Sequence, residues 1–143
     1  MENYFVVICG DKGFPGHAFI SFGRESDTAG MSISDGAFGM YPKNSASGIK
    51  SAVIGEVPGG LRDDYLRNKD HSLVIKVTQS EYESCLIIRD SWRTKKYELL
   101  KNDCLSFVIE IANELTSYLE MPQRSGFDNL PAEFVSAIIL KNK

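Results

Sequence analysis

One stretch limits the possible folds more than any other: Tyr97 to Leu115, YELLKNDCLSFVIEIANEL. A short polar turn, Lys101-Asn102-Asp103, precedes Phe107, Val108, Ile111, Ala112 and Leu115, which recur at helical spacing and make one apolar stripe. Asn102 or Asp103 can cap the helix with its side-chain oxygen. Cys104 then falls in the first turn. A helix N-terminus carries roughly half a positive charge and favours an anion, and a thiolate is one. Cysteines so placed can ionise well below the free-thiol value of about 8.5. The unpaired N–H groups of the same turn can also hold a developing oxyanion. A buried free cysteine more often just fills a core, so the chemical reading needs a partner histidine.

The rest of the chain predicts a single domain over residues 1–143, of α+β class, with helices packed against an antiparallel sheet. Tyr4–Cys9 reads as a buried strand closed by Gly10. His17–Phe22 is a second, with His17, Phe19 and Ser21 on one face. Met31 to about Tyr41 reads as a third strand, hairpinned to the second and bent at Gly36 and Gly39. Ser51–Val57 reads as a fourth strand, Leu61–Lys69 as one or two helical turns, and His71–Val77 as a strand. Thr78-Gln-Ser-Glu81 has the capping-box pattern and opens a helix. Tyr82, Cys85, Leu86, Arg89 and Trp92 lie along one side of it, with Cys85 in the core. The Cys104 helix runs to about Leu119. Asn129 caps a last helix, with Pro131 in its first turn, to about Leu140.

Composition narrows the function. A formal charge of −3 lacks the basic face of a nucleic-acid binder. No apolar run approaches the roughly 20 residues that span a bilayer, and the N-terminus lacks the features of a signal peptide. This predicts synthesis in the cytoplasm and no stable membrane insertion. Three cysteines without metal-type spacing predict neither a disulfide framework nor a metal site, and no motif calls for a cofactor.

Two histidines are available as a base. His71 follows a charged segment and reads as a surface residue. His17 follows Gly16, where the backbone leaves room for a ligand, and is the stronger candidate. A thiolate, an imidazole and a third group that orients the ring make an apparatus for acyl transfer. In the expected hairpin the positions opposite His17 are about Ser34 to Gly36. Asp35 can accept the far ring N–H, and Ser34 can do so more weakly. Asp35-Gly36 also reads simply as a turn dipeptide, and a slip of one residue would change the face.

Gly16-His-Ala-Phe-Ile-Ser-Phe22, Phe38-Gly-Met-Tyr-Pro42 and Tyr97-x-Leu-Leu-x-Asn-Asp-Cys104-x-x-Phe-Val108 resemble the circularly permuted branch of the NlpC-like cysteine amidases and peptidases. These belong to the papain-like superfamily. The permuted branch places the histidine strand before the cysteine helix, as this order does. The resemblance implies a permuted papain-like fold with Cys104 as nucleophile and His17 as general base. The third position is not matched clearly, and Ser32, Ser34 and Asp35 are its candidates. It further implies hydrolysis of amide bonds in bacterial cell-wall peptides. The pairing of Gly-His-Ala-Phe with Gly-x-Tyr-Pro is similar to small toxins delivered by type VI secretion to a target-cell periplasm. A peptide or peptidoglycan fragment would be the substrate, and a cognate immunity protein the partner. An acyltransferase or isopeptidase would use the same dyad. A binding domain on a degenerate papain-like fold would leave Cys104 as core and its thiol inert.

Overall fold

The computed structural model describes residues 3–12, 16–26, 30–42, 56–98, 101–124 and 131–142. Among these, the strands are β1 (Asn3–Asp11), β2 (His17–Ser26), β3 (Gly30–Ser32), β4 (Ala37–Pro42), β5 (Gly59–Asp63) and β6 (His71–Val77). The helices are α1 (Gln79–Ser91), α2 (Cys104–Asn113) and α3 (Pro131–Lys141). One sheet holds the strands in the order β5-β4-β2-β1-β6, with β3 paired to the far end of β2. Every pairing is antiparallel, so the class is α+β as the sequence predicts.

The alternation of β1 explains its central place. Val6 and Ile8 join Ala18, Ile20, Phe22, Met40, Ile75 and Val77 in the main core. Leu105, Phe107, Val108, Ile111 and Leu115 from α2 and its following turn, and Phe134, Val135 and Ile138 from α3, complete that core. Val7 and Cys9 join Phe19 and Ala37 in a smaller second cluster. Each large side chain so buried stabilises the fold by about 1.5–3 kcal/mol before entropy is counted. Gly10 lets α3 cross close to the sheet, since a Cβ there would stand 3.1 Å from Val135 Cβ and 3.2 Å from Ala132 Cα. The capping box of α1 is complete: Thr78 accepts from Glu81 N–H and the Glu81 side chain accepts from Thr78 N–H. Cys85 is buried on that helix, as expected.

Three sequence expectations are corrected. Met31 to Tyr41 is not one strand but β3 and β4, parted by a turn through Ser34 and Asp35 in which Gly36 takes φ 84°. Phe22 N–H donates to Gly36 O and Asp35 N–H donates to Phe22 O, so this turn lies level with Phe22 rather than with His17. Leu61–Lys69 is not helical at its start: Gly59 to Asp63 pair with Pro42 to Phe38 as β5, because cross-strand bonds to β4 outweigh a weak helical pattern. The Cys104 helix ends at Asn113, and residues 114–118 continue as tighter turns with bonds such as Leu115 N–H to Ala112 O. Of the expected strand Ser51–Val57, residues 51–55 lie outside the described residues, and Val57 makes an isolated bridge to Tyr97. Asn129 also lies outside them.

Candidate functional site

Three elements converge on His17. It is the first residue of β2, placed by Gly16 at φ 89°, and is 4% exposed. Its Nε2 lies 2.8 Å from Oδ2 of Asp64, itself 5% exposed. Asp64 directly follows β5 and is pinned through its backbone, since Asp64 N–H donates to Ala37 O at 2.8 Å and Arg67 N–H donates to Asp64 O at 2.9 Å. Gly39 on β4 makes the space for this pair. A Cβ there would overlap both Asp64 Oδ2 and His17 Nε2.

Cys104 is the first residue of α2 and is 6% exposed. Asp103 is the N-cap: its Oδ1 accepts from Ser106 N–H and from Ser106 Oγ–H, each at 2.9 Å. Arg124 grips the same carboxylate with two bonds, Nη1 to Oδ1 at 3.0 Å and Nη2 to Oδ2 at 2.6 Å. A capped, doubly bonded turn of this kind holds the thiol in a fixed direction.

Charge ties the two halves together. Burial alone would lower the His17 pKa, but the negative charge on Cys104, the hydrogen bond to Asp64 and a hydrogen bond with Cys104 outweigh it and push the value up to about 9. With Nε2 committed to Asp64, Nδ1 is the nitrogen left for the thiol. Tyr97 borders the same charge: burial, then Cys104 and Asp103, raise its phenol pKa. The other two thiols behave as core groups, with burial pushing Cys9 up to about 11 and Cys85 up to about 12.

Tyr41 stacks on the imidazole with ring centroids 4.4 Å apart and donates its O–H to Asp64 Oδ1 at 2.5 Å. Arg67 donates from Nη1 to the Tyr41 oxygen at 2.8 Å and from Nε to Asp11 Oδ2 at 2.8 Å. Asp11 closes the circle, being paired with His17 across β1 and β2.

The structure therefore brings together His17 and Cys104, and the carboxylate it sets against His17 is that of Asp64 rather than Asp35, with Ser34 and Ser32 also turned elsewhere. Asp35 accepts from the Tyr82 hydroxyl at 2.6 Å and faces Arg24 at 3.5 Å. The hydroxyls of Ser34 and Ser32 bond to each other at 2.8 Å and both residues are exposed. The physical reason is register. With Ile20 opposite Phe38 and Ser21 opposite Ala37, the same register brings Tyr41, not Asp35, opposite His17. His71 begins β6 opposite Gly10 and is partly exposed. Asp64 was hidden because Leu61-Arg-Asp-Asp-Tyr-Leu-Arg67 reads as helix, and nothing local distinguishes Asp64 from Asp63.

Among the described residues no group of three His, Cys, Asp or Glu side chains is arranged to hold a metal ion, and no helix is long and apolar enough to cross a membrane. Comparison with known proteins finds no matching family model, no matching curated protein and no matching solved structure.

Proposed function

We propose that this chain is a thiol hydrolase of amide bonds, with Cys104 as nucleophile, His17 as general base and acid, and Asp64 orienting the imidazole. One observation carries the reading: a buried imidazole interacts with the thiol at a helix N-terminus and has its Nε2 2.8 Å from a buried carboxylate. Buried groups of this kind are costly unless paired, and shifted pKa values concentrate at reactive sites.

In the proposed reaction the Cys104 proton moves to His17 Nδ1 and the thiolate attacks the amide carbonyl carbon. The oxygen takes the negative charge beside the free N–H groups of the first turn of α2; the N–H of Ser106 is not among them, because Asp103 accepts it. His17 gives its proton to the leaving amine as the C–N bond breaks, and Cys104 is left as a thioester. Water then loses a proton to His17 and attacks the thioester carbon. The acid departs and the Sγ leaving group recovers the proton from His17.

The early histidine strand and late cysteine helix support a permuted papain-like architecture. The resemblance of the three motifs supports a cell-wall peptide as substrate, delivery as an antibacterial effector and an inhibitory immunity partner. The test is the rate at which iodoacetamide modifies each cysteine across pH, in the wild type and in His17→Ala. Cys104 is expected to react fastest at neutral pH and to slow markedly in the variant, with release of new amines from peptidoglycan fragments as the next readout. A Cys104 rate indifferent to His17 would end the enzyme reading.

A further inference from the structure

We propose that Tyr41 and Arg67 are positioning residues that fix the tautomer of His17, so that the neutral ring carries its proton on Nε2 and presents the Nδ1 lone pair to Cys104. The inference rests on the thiol hydrolase reading and reaches beyond the three residues that reading uses.

The argument is one of donor and acceptor direction. A guanidinium has only N–H donors. Arg67 Nη1 is 2.8 Å from the Tyr41 oxygen, so that oxygen must accept there. The Tyr41 O–H then has to point elsewhere, and the acceptor placed for it is Asp64 Oδ1. Oδ1 is thereby an acceptor. A carboxylate offers only acceptor oxygens, so across the 2.8 Å contact with Oδ2 it is His17 Nε2 that donates. Nδ1 is left without a proton in the neutral ring. That state is needed twice in the reaction, when the ring takes the thiol proton and when it takes a proton from water.

The surroundings are arranged to keep this chain of bonds dry and aligned. Tyr41 and Phe19 stack on the His17 ring at 4.4 and 5.9 Å. Arg62 and Arg67 lie over the Tyr41 ring at 5.1 and 5.9 Å. Asp11 holds the other side of Arg67 through Nε. The charged groups facing this chain are thus Asp11, Arg62, Arg67 and Asp64, with Cys104 beyond the ring and Asp103 and Arg124 behind Cys104. Tyr41 can lose its hydroxyl and keep its ring, so stacking and hydrogen bonding are separable by substitution.

The experiment reads the tautomer directly. In Cys104→Ala the part of the rise in the His17 pKa that Cys104 causes is removed while the part from Asp64 remains, so long-range proton–nitrogen correlation of labelled histidine is recorded on the alkaline side of the His17 titration, where the ring is neutral. The Nε2–H form is expected to dominate, and adding Tyr41→Phe is expected to give a mixture. In the chain that retains Cys104, Tyr41→Phe is expected to slow Cys104 alkylation about tenfold, as loss of one hydrogen bond to a charged group does, and to move the His17-dependent limb of the pH profile. An Nδ1–H ring, or a tautomer ratio and pH profile untouched by Tyr41→Phe, would overturn the inference. If Tyr41→Phe does not fold, Arg67→Lys and Arg67→Gln replace it. Lysine only donates and is expected to keep the tautomer. Glutamine offers Tyr41 a second acceptor and is expected to mix it, and equal ratios in the two would refute the proposal. His17→Ala separates the two levels. If it leaves Cys104 alkylation unchanged, the hydrolase reading fails. If it slows Cys104 while Tyr41→Phe does nothing, only the tautomer inference fails.

Discussion

Replacing Gly39 with alanine adds one methyl group where the His17–Asp64 hydrogen bond runs. Gly39 is not at positive φ, so the backbone can carry alanine without strain. The whole effect comes from the new Cβ, which overlaps both His17 Nε2 and Asp64 Oδ2. Restoring ordinary contact requires the two side chains to part by about 1 Å, and a misplacement of that size typically costs about a hundredfold in rate. Losing a hydrogen bond between buried charged groups adds about 1.5–3 kcal/mol of instability, or roughly 4–10 °C in melting temperature for a chain of this size. The assay is iodoacetamide capture of Cys104 at neutral pH, followed by mass spectrometry, beside a thermal melt. Gly60→Ala is the control: Gly60 sits on the neighbouring strand opposite Tyr41, and a Cβ there would meet only Arg93 O at 3.8 Å. Gly39→Ala with a Cys104 rate and melting temperature matching those of Gly60→Ala would refute the claim that this close contact orients the imidazole.

Other expectations follow from the same geometry. Because the His17 pKa is raised from 6.5 to about 9, its contribution to stability is fully present below about 6.5 and is lost as pH rises through about 9; melting temperature measured across that window should fall more steeply in the wild type than in His17→Ala. Asp103→Ala removes the cap of α2 and strands the largely buried Arg124, so equilibrium unfolding should show a loss of about 2–4 kcal/mol, with Asp103→Asn costing less because it still caps. Asp35→Asn should leave Cys104 alkylation at its wild-type rate while weakening the tie to Tyr82 by about 1 kcal/mol, and a large fall in alkylation would restore Asp35 as the partner of His17. Cys9 and Cys85, pushed up to about 11 and about 12 by burial, should stay unmodified in the folded chain at neutral pH, which peptide mapping after alkylation checks.

Local chemistry made some elements legible and not others. The apolar run of β1, the strand at β6, the box from Thr78 to Glu81 and a cap at Asn102 or Asp103, which the structure gives to Asp103, each act within a few residues, so sequence alone shows them. Cys104 and His17 stand out as candidates by the same means, from a helix start and a glycine-led strand. Asp64 does not, because its contact with His17 depends on β5 pairing with β4, and that pairing links residues 17 to 25 positions apart. The break between β3 and β4 is likewise a tertiary effect. Gly36 turns the chain so that both short strands lie along the same long β2, and a single hydrophobic pattern runs through the break.

The separation of the three side chains along the chain has a kinetic consequence. His17 and Asp64 are 47 positions apart, and a comparable length separates Asp64 from Cys104. No hairpin or single helix contains two of them, so their meeting requires the closure of two long loops, each opposed by chain entropy. Contacts of such sequence separation form late and together. A folding intermediate that has paired β1 with β2 and wound α1 still carries an unassisted thiol at position 104. Rapid capture of that thiol at neutral pH would then count only molecules in which both loops have closed, which makes it a sensor of completed folding as well as of chemistry.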